Sequence, residues 1–211
     1  MIEDTTIGNF FDQMASSAPT PGGGGAAGLC GAMSAALTSM VCNLTVGKKK
    51  YKDVDAEMRA VLEKSEKLRD SFTKAADRDA EAFQALLDAW KLPKETDEEK
   101  EIRAQRIDSN TKKAAEVPLE VLRISGEILK PAKIAAEKGN ANAVSDAGVS
   151  AILAGAAAQS AALNVQINLA LLKDREWALE KFDEMNQMLA KVRIGVDEVL
   201  RIVTSKIAGE G

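Results

Sequence analysis

The chain has 211 residues, 45% of them apolar, and a net charge of −4. That length and apolar share support one domain over residues 1–211 with a real core, and they exclude a disordered chain. The acidic balance argues against nucleic acid as the main partner, and the absence of histidine excludes Ser-His-Asp catalysis, histidine bases and nearly all common zinc sites. Acid–base chemistry must therefore fall to Asp, Glu, Lys, Tyr or Cys. Aromatic residues make up only 4% while alanine is abundant, so the core is one of helices approaching closely over small side chains.

Taken in chain order, Thr5 to Ser17 reads as a short amphipathic helix with Ile7, Phe10, Phe11 and Met14 on one face. A loop comes next over Ser16–Gly24, with a Pro-Thr-Pro turn and four consecutive glycines. A long helix is expected from about Gly25 to Val46, ended by Gly47, with Lys48, Lys49 and Lys50 at the negative end of its dipole. A second spans about Asp53–Trp90. A third, capped by Thr96 or Asp97, reaches about Lys130, kinked at Pro118, with Pro131 interrupting the next stretch. Gly139 and Asn140 mark a turn before a small-residue helix over about Asn142–Leu172, and a last helix covers roughly Arg175–Lys206. No segment shows strand alternation.

The pattern predicts an all-α bundle of about six helices. Two of them, Gly25–Val46 and Ala143–Leu172, are nearly apolar all round and must be covered on most sides. A bundle of this size covers two such helices with difficulty, so a homodimer burying them is expected. The Gly22–Cys42 run approaches membrane-spanning length, but it is rich in Gly, Ala and Ser and reads as a buried helix rather than a membrane span. Cys30 and Cys42, twelve positions apart on one helix, would stand about 18 Å apart and cannot pair within the chain. Reduced cysteines and the lack of an N-terminal signal pattern point to the cytoplasm.

Four features carry possible chemistry. Gly23–Gly28 formally matches G-x-G-x-x-G, but no strand precedes it, which removes the dinucleotide reading. What remains is physical: glycines entering a helix expose free N–H groups and permit close approach of a ligand, whereas Gly28 and Gly31, inside the helix, suit tight helix packing. The Lys48–Tyr51 run is either a solvated helix cap or a patch for a carboxylate or phosphate tail. Within Asp77–Glu81, helical geometry separates the acids. Asp79 shares a face with Phe72, Ala75, Ala76, Ala82, Phe83 and Leu86, while Asp77 and Glu81 fall on the solvated side. A lone carboxylate on a core face is costly unless paired or used. It either bonds a neighbouring helix end or has a raised pKa suited to proton transfer. The Asn142–Leu172 helix adds a polar stripe of Asn142, Asp146, Ser150, Ser160, Asn164 and Asn168, which either bonds across helices or lines a pocket.

Several segments together carry a resemblance: PTPGGGG at 19–25, SMVCNLTVGKKKY at 39–51, DAEAF at 79–83, LPKETDEEK at 92–100, VPLE at 117–120, GNANAVSDAG at 139–148 and NVQIN at 164–168. In this order, over nearly the whole chain, they resemble the formiminotransferase-cyclodeaminase family, specifically its stand-alone bacterial methenyltetrahydrofolate cyclohydrolases. The resemblance implies an all-helical homodimer with a folate site, tetrahydrofolate derivatives as partners, and no metal or cofactor beyond the folate substrate. It implies a catalytic aspartate in the D-A-x-A-F segment, which falls on Asp79. The expected substrate-binding set is Pro21, Gly22, Gly23, Gly24, Asn43, Lys48, Lys49, Tyr51, Asn140, Asn142, Asp146 and Asn164, with Lys48 and Lys49 taking the glutamate tail. The 211 residues show no formiminotransferase domain, and the whole-chain match to the stand-alone type favours methenyltetrahydrofolate hydrolysis to 10-formyltetrahydrofolate. The alternatives are ammonia release from 5-formiminotetrahydrofolate and a non-catalytic folate-binding helical dimer.

Overall fold

Small side chains let helices approach closely, and the computed structural model, which describes residues 2–209, consists of helices and their connections. The α-helices are α1 (Ile7–Met14), α2 (Gly23–Asn43), α3 (Asp55–Trp90), α4 (Asp97–Lys138), α5 (Val144–Leu171) and α6 (Arg175–Ala208). Short 3-10 turns cover Ile2–Asp4, Lys49–Val54 and Ala141–Ala143. No strand occurs among the described residues, so the expected six-helix all-α architecture is what forms.

Helices α2, α3, α4 and α5 pack in a closed ring, each against the next and α5 back onto α2. Helix α6 lies along α4 and α5. Neighbours around the ring run antiparallel, and α6 runs antiparallel to α5 but parallel to α4. Gly24 of α2 meets Asp79 of α3, and further along Gly31 meets Phe72. Against α5, Gly23 meets Asn164, while the Ser150 hydroxyl donates to the Ser34 carbonyl at 2.8 Å and accepts from Thr38 Oγ1 at 2.8 Å. Ser34, Thr38 and Ser150 are completely buried, and their mutual bonds satisfy the polar groups that close packing removes from water.

Local chemistry sets most boundaries. Thr96 and Glu99 form a reciprocal capping box at the start of α4, with Thr96 Oγ1 accepting from the Glu99 N–H at 3.1 Å and Glu99 Oε2 accepting from the Thr96 N–H at 3.0 Å. Asp174 Oδ1 accepts from the Trp177 N–H at the start of α6. Three expectations need correction. Helix α2 stops at Asn43, and Gly47 sits a turn later at φ +74°, so the lysines lie beyond the helix end. Pro131 does not interrupt α4, which runs through both prolines to Lys138. Ala132, Ala135 and Ala136 are buried beyond it, and this packing outweighs the roughly 3 kcal/mol that an internal proline costs. In α1 only Phe10 is buried, leaving Ile7 and Phe11 exposed.

Helices α2 and α5 are each long and apolar enough to cross a membrane, and a little over half of each such window is buried inside the bundle. Each packs on the other, and each leaves one stripe open. Met33 and Met40 are exposed on α2; Val149, Ile152, Leu163 and Ile167 are exposed on α5.

The packing of α2 on α3 depends on glycine. A methyl group on Gly31 would stand 2.2 Å from two ring carbons of the fully buried Phe72. Overpacking of this kind costs about 1–3 kcal/mol, against about 1 kcal/mol gained in helix propensity. Gly31→Ala should therefore lower the urea midpoint of unfolding; an unchanged or higher midpoint would contradict the packing described.

Candidate active site

Helix α3 carries Asp79 on its buried face, with Phe72, Ala75, Ala76 and Leu86 buried around it. The neighbouring acids are disposed of differently. Asp77 Oδ1 accepts from the Ile2 N–H at 2.8 Å, tying the N-terminal segment to α3, and Glu81 is exposed. Asp79 instead points at the first turn of α2. A methyl group added to Gly24 would lie 2.2 Å from Asp79 Cγ and from both its carboxylate oxygens. Only a residue without Cβ lets the carboxylate take this place.

The first turn of α2 is open on this side. Gly22, at the N-cap, has no side chain to bond the helix start, and the first intrahelical bond is from the Ala26 N–H to the Gly22 carbonyl at 3.0 Å. The N–H groups of Gly23, Gly24 and Gly25 thus have no intrahelical acceptor, and they form the positive end of the helix dipole. Burial raises the Asp79 carboxyl above the ordinary aspartate range, with no cation or hydrogen bond offsetting it. The two readings of Asp79 meet here: it does lie at a neighbouring helix end, yet it makes no structural bond there.

A cleft of about 260 Å³ opens over this junction. Thr20, Gly22, Gly23, Gly24, Asp79, Asn164 and Asn168 line its polar end, and Phe83, Leu86, Trp90, Ile167 and Leu171 line the rest. The Asn164 amide nitrogen donates to the Ser160 carbonyl at 2.8 Å, and that of Asn168 to the carbonyls of Ala114 and Asn164 at 3.0 and 2.9 Å. Both amide oxygens remain available to a ligand. The polar stripe of α5 is thus split: Ser150 bonds across helices, while Asn164 and Asn168 line the cleft.

Of the expected site residues, the structure gathers Gly22, Gly23, Gly24, Asp79 and Asn164. Pro21 belongs to the same loop but packs against Gly25 on the far side of the cleft. The others gather at the opposite end of α2, about 30 Å away by the helix rise. There the Asn140 backbone N–H donates to Thr45 Oγ1 at 2.8 Å, its amide donates to the Leu44 carbonyl at 2.9 Å, and its Oδ1 accepts from the Asn142 N–H at 3.1 Å. The Tyr51 hydroxyl donates to Asn140 Oδ1 at 3.4 Å and accepts from the Ala141 N–H at 3.1 Å. Asn43, Lys48 and Lys49 are exposed beside this knot, and Asp146 is half-buried in the first turn of α5. Within one chain the glycine end and the lysine end do not form one pocket. Asn168, Phe83 and Trp90 were not among the expected site residues. Their signal is spacing: Phe83, Leu86 and Trp90 come after Asp79 at four, seven and eleven positions on one helix face.

The bundle and its carboxylate-bearing cleft define an all-helical domain with a candidate site at the junction of α2, α3 and α5. Residues 6–187 match the formiminotransferase-cyclodeaminase family, and the chain belongs to that family. It is 50% identical to a methenyltetrahydrofolate cyclohydrolase of Methylorubrum extorquens, over 98% of this chain and all of that one. It is 30% identical to a formimidoyltransferase-cyclodeaminase of Gallus gallus, over 96% of this chain but 37% of that larger protein. The crystal structure of a formiminotetrahydrofolate cyclodeaminase from Thermotoga maritima superposes with a TM-score of 0.88 at 30% identity, over 98% of this chain and all of that one.

The raised carboxyl has a measurable sign. The folded state holds the Asp79 proton more tightly than the unfolded chain does, so this group's favourable contribution is present in acid and lost as pH rises through the folded pKa. Asparagine has no such proton. Asp79→Asn should change Tm little below about pH 4 and raise it relative to the wild type increasingly toward neutral pH. A Tm difference independent of pH would contradict the buried, unpaired state of Asp79.

Proposed function

We propose that this chain hydrolyses 5,10-methenyltetrahydrofolate to 10-formyltetrahydrofolate in one-carbon metabolism, as a cytoplasmic homodimer with no cofactor beyond the folate substrate. The observation that carries the proposal is Asp79, half-buried without a partner against the open first turn of α2. The substrate is an amidinium cation, and a buried carboxylate stabilises it electrostatically. Water adds to the bridging carbon, forming a C–O bond, while Asp79 takes the water proton. The tetrahedral adduct then collapses: the C–N5 bond breaks, N5 receives a proton from Asp79, and the hydroxyl proton is lost to solvent. The formyl group stays on N10 and one proton is released overall. The greater identity to the cyclohydrolase, 50% against 30% for the cyclodeaminases, supports hydrolysis over ammonia release.

The polar end of the cleft suits the pterin, whose ring nitrogens and carbonyl require hydrogen-bonding partners. Backbone N–H groups of the glycine turn and the amide oxygens of Asn164 and Asn168 supply them. The homodimer rests on the open stripes of α2 and α5, which form one face carrying Met33, Met40, Val149, Ile152, Leu163 and Ile167. Such a face exceeds the scattered apolar residues of an ordinary surface. A two-fold axis standing normal to it near Met33 and Ile152 exchanges the two ends of α2. The partner's Lys48–Tyr51, Asn140, Asn142 and Asp146 then lie over the cleft, which explains why one chain holds these groups apart.

The test tracks loss of methenyltetrahydrofolate absorbance, corrected for spontaneous hydrolysis. Wild type should turn over, Asp79→Asn should fall by about 10²–10⁴-fold, and Met33→Arg should give folded monomers with depressed turnover. Near-normal turnover by Asp79→Asn would remove Asp79 from the chemistry. Fully active monomers would sink the shared site, and preferential ammonia release from 5-formiminotetrahydrofolate would replace the reaction.

A further inference from the structure

The cleft has a direction. Asp79, Phe83, Leu86 and Trp90 run along one face of α3, so the cleft extends about 16 Å from the carboxylate to the helix end. One end offers glycine N–H groups, asparagines and the carboxylate. The other is bounded by Phe83, Leu86, Leu171 and Trp90, the last 40% exposed. On the folate reading above, the reacting carbon must sit at Asp79, between the pterin and the benzoyl ring. The pterin matches the polar end, so the benzoyl ring runs along Phe83 and Leu86 toward Trp90. The glutamate tail then leaves at the Trp90 end, away from the glycines.

At that end lies a second groove, of about 850 Å³. Two walls of the cleft lead into it: Ala114 of α4 is preceded by Lys113, and Leu171 at the end of α5 is succeeded two positions later by Lys173. The groove also holds Lys112, Asp108 and Asp174. Lys112 stands 2.7 Å from Asp174 and 3.5 Å from Asp108, so these three charges are mutually engaged. Lys113 and Lys173 are exposed, and neither enters an ion pair among the described residues. Lys112 faces two carboxylates, so that trio is net negative, and it is Lys113 and Lys173 that turn the groove net positive.

We infer that Lys113 and Lys173 form the binding track for the γ-glutamyl tail of a polyglutamylated substrate. Each added glutamyl unit carries one further carboxylate, and a tail leaving past Trp90 meets these two cations on the same chain as Asp79. Lys48 and Lys49, which the sequence suggested for this role, belong to the other end of α2. In the shared site of the dimer they stand at the pterin end.

The experiment compares kcat/KM for monoglutamyl and pentaglutamyl methenyltetrahydrofolate. Wild type should prefer the pentaglutamate by about tenfold, the effect of two exposed charge pairs, and the preference should shrink as salt rises. The double variant Lys113→Gln/Lys173→Gln should lose the preference while its monoglutamate kcat/KM stays within about twofold of wild type. The retained monoglutamate rate reports an intact fold and an intact reaction site. A double variant that keeps the preference would overturn the inference, as would a wild type with none. So would Lys48→Gln/Lys49→Gln losing it instead. A wild type inactive on the monoglutamate would instead refute the reaction itself.

Discussion

The first turn of α2 lies so close to α3 that no side chain fits between Gly24 and the Asp79 carboxylate. Every other property of the site derives from that approach. It brings an acid against backbone N–H groups that no side chain caps, and it removes the acid from water. It also leaves the cleft between the glycine loop, α3 and α5 as the way in. Small residues maintain the approach along the whole interface. Gly28 and Gly31 face Ala76 and Phe72 further down the same pair of helices, so the cleft end and the structural core share one packing rule.

The closeness has an electrostatic consequence. A carboxylate without a cation partner in a half-buried position is destabilising as an anion, and its pKa rises. The helix start partly compensates by directing its partial positive charge at the same space. A bound cationic substrate would complete the balance. An acid held this way can accept a proton from water and return it to nitrogen without the histidine that the sequence lacks.

Asp79 was legible because a helix face is set by spacing alone: its neighbours three, four and seven positions away are apolar, while those of Asp77 and Glu81 are not. The capping box at Thr96 and Glu99 was legible for the same local reason. Pro131 was not, because what carries α4 through it is the burial of Ala132, Ala135 and Ala136 against other helices, a tertiary term invisible in local propensity. The two-ended α2 was half legible. Its length separates the glycines from the lysines by about 30 Å in the sequence itself, so one chain alone does not bring both ends into one pocket. Asn168 was half legible, as part of a polar stripe open to either helix bonding or pocket lining, whereas Trp90 becomes a site residue only through the convergence of α3, α4 and α5 on one cleft.

Glycine at position 24 is what seats the carboxylate. A methyl group there meets the movable end of Asp79 rather than backbone, so Gly24→Ala should displace the acid and leave the fold standing. Steady-state kinetics on methenyltetrahydrofolate, with Tm measured on the same preparation, tests this directly. The kcat should fall by about a hundredfold or more with Tm little changed, because a displacement of about 1 Å suffices for such a loss. A Gly24→Ala variant with wild-type kcat would contradict that seating.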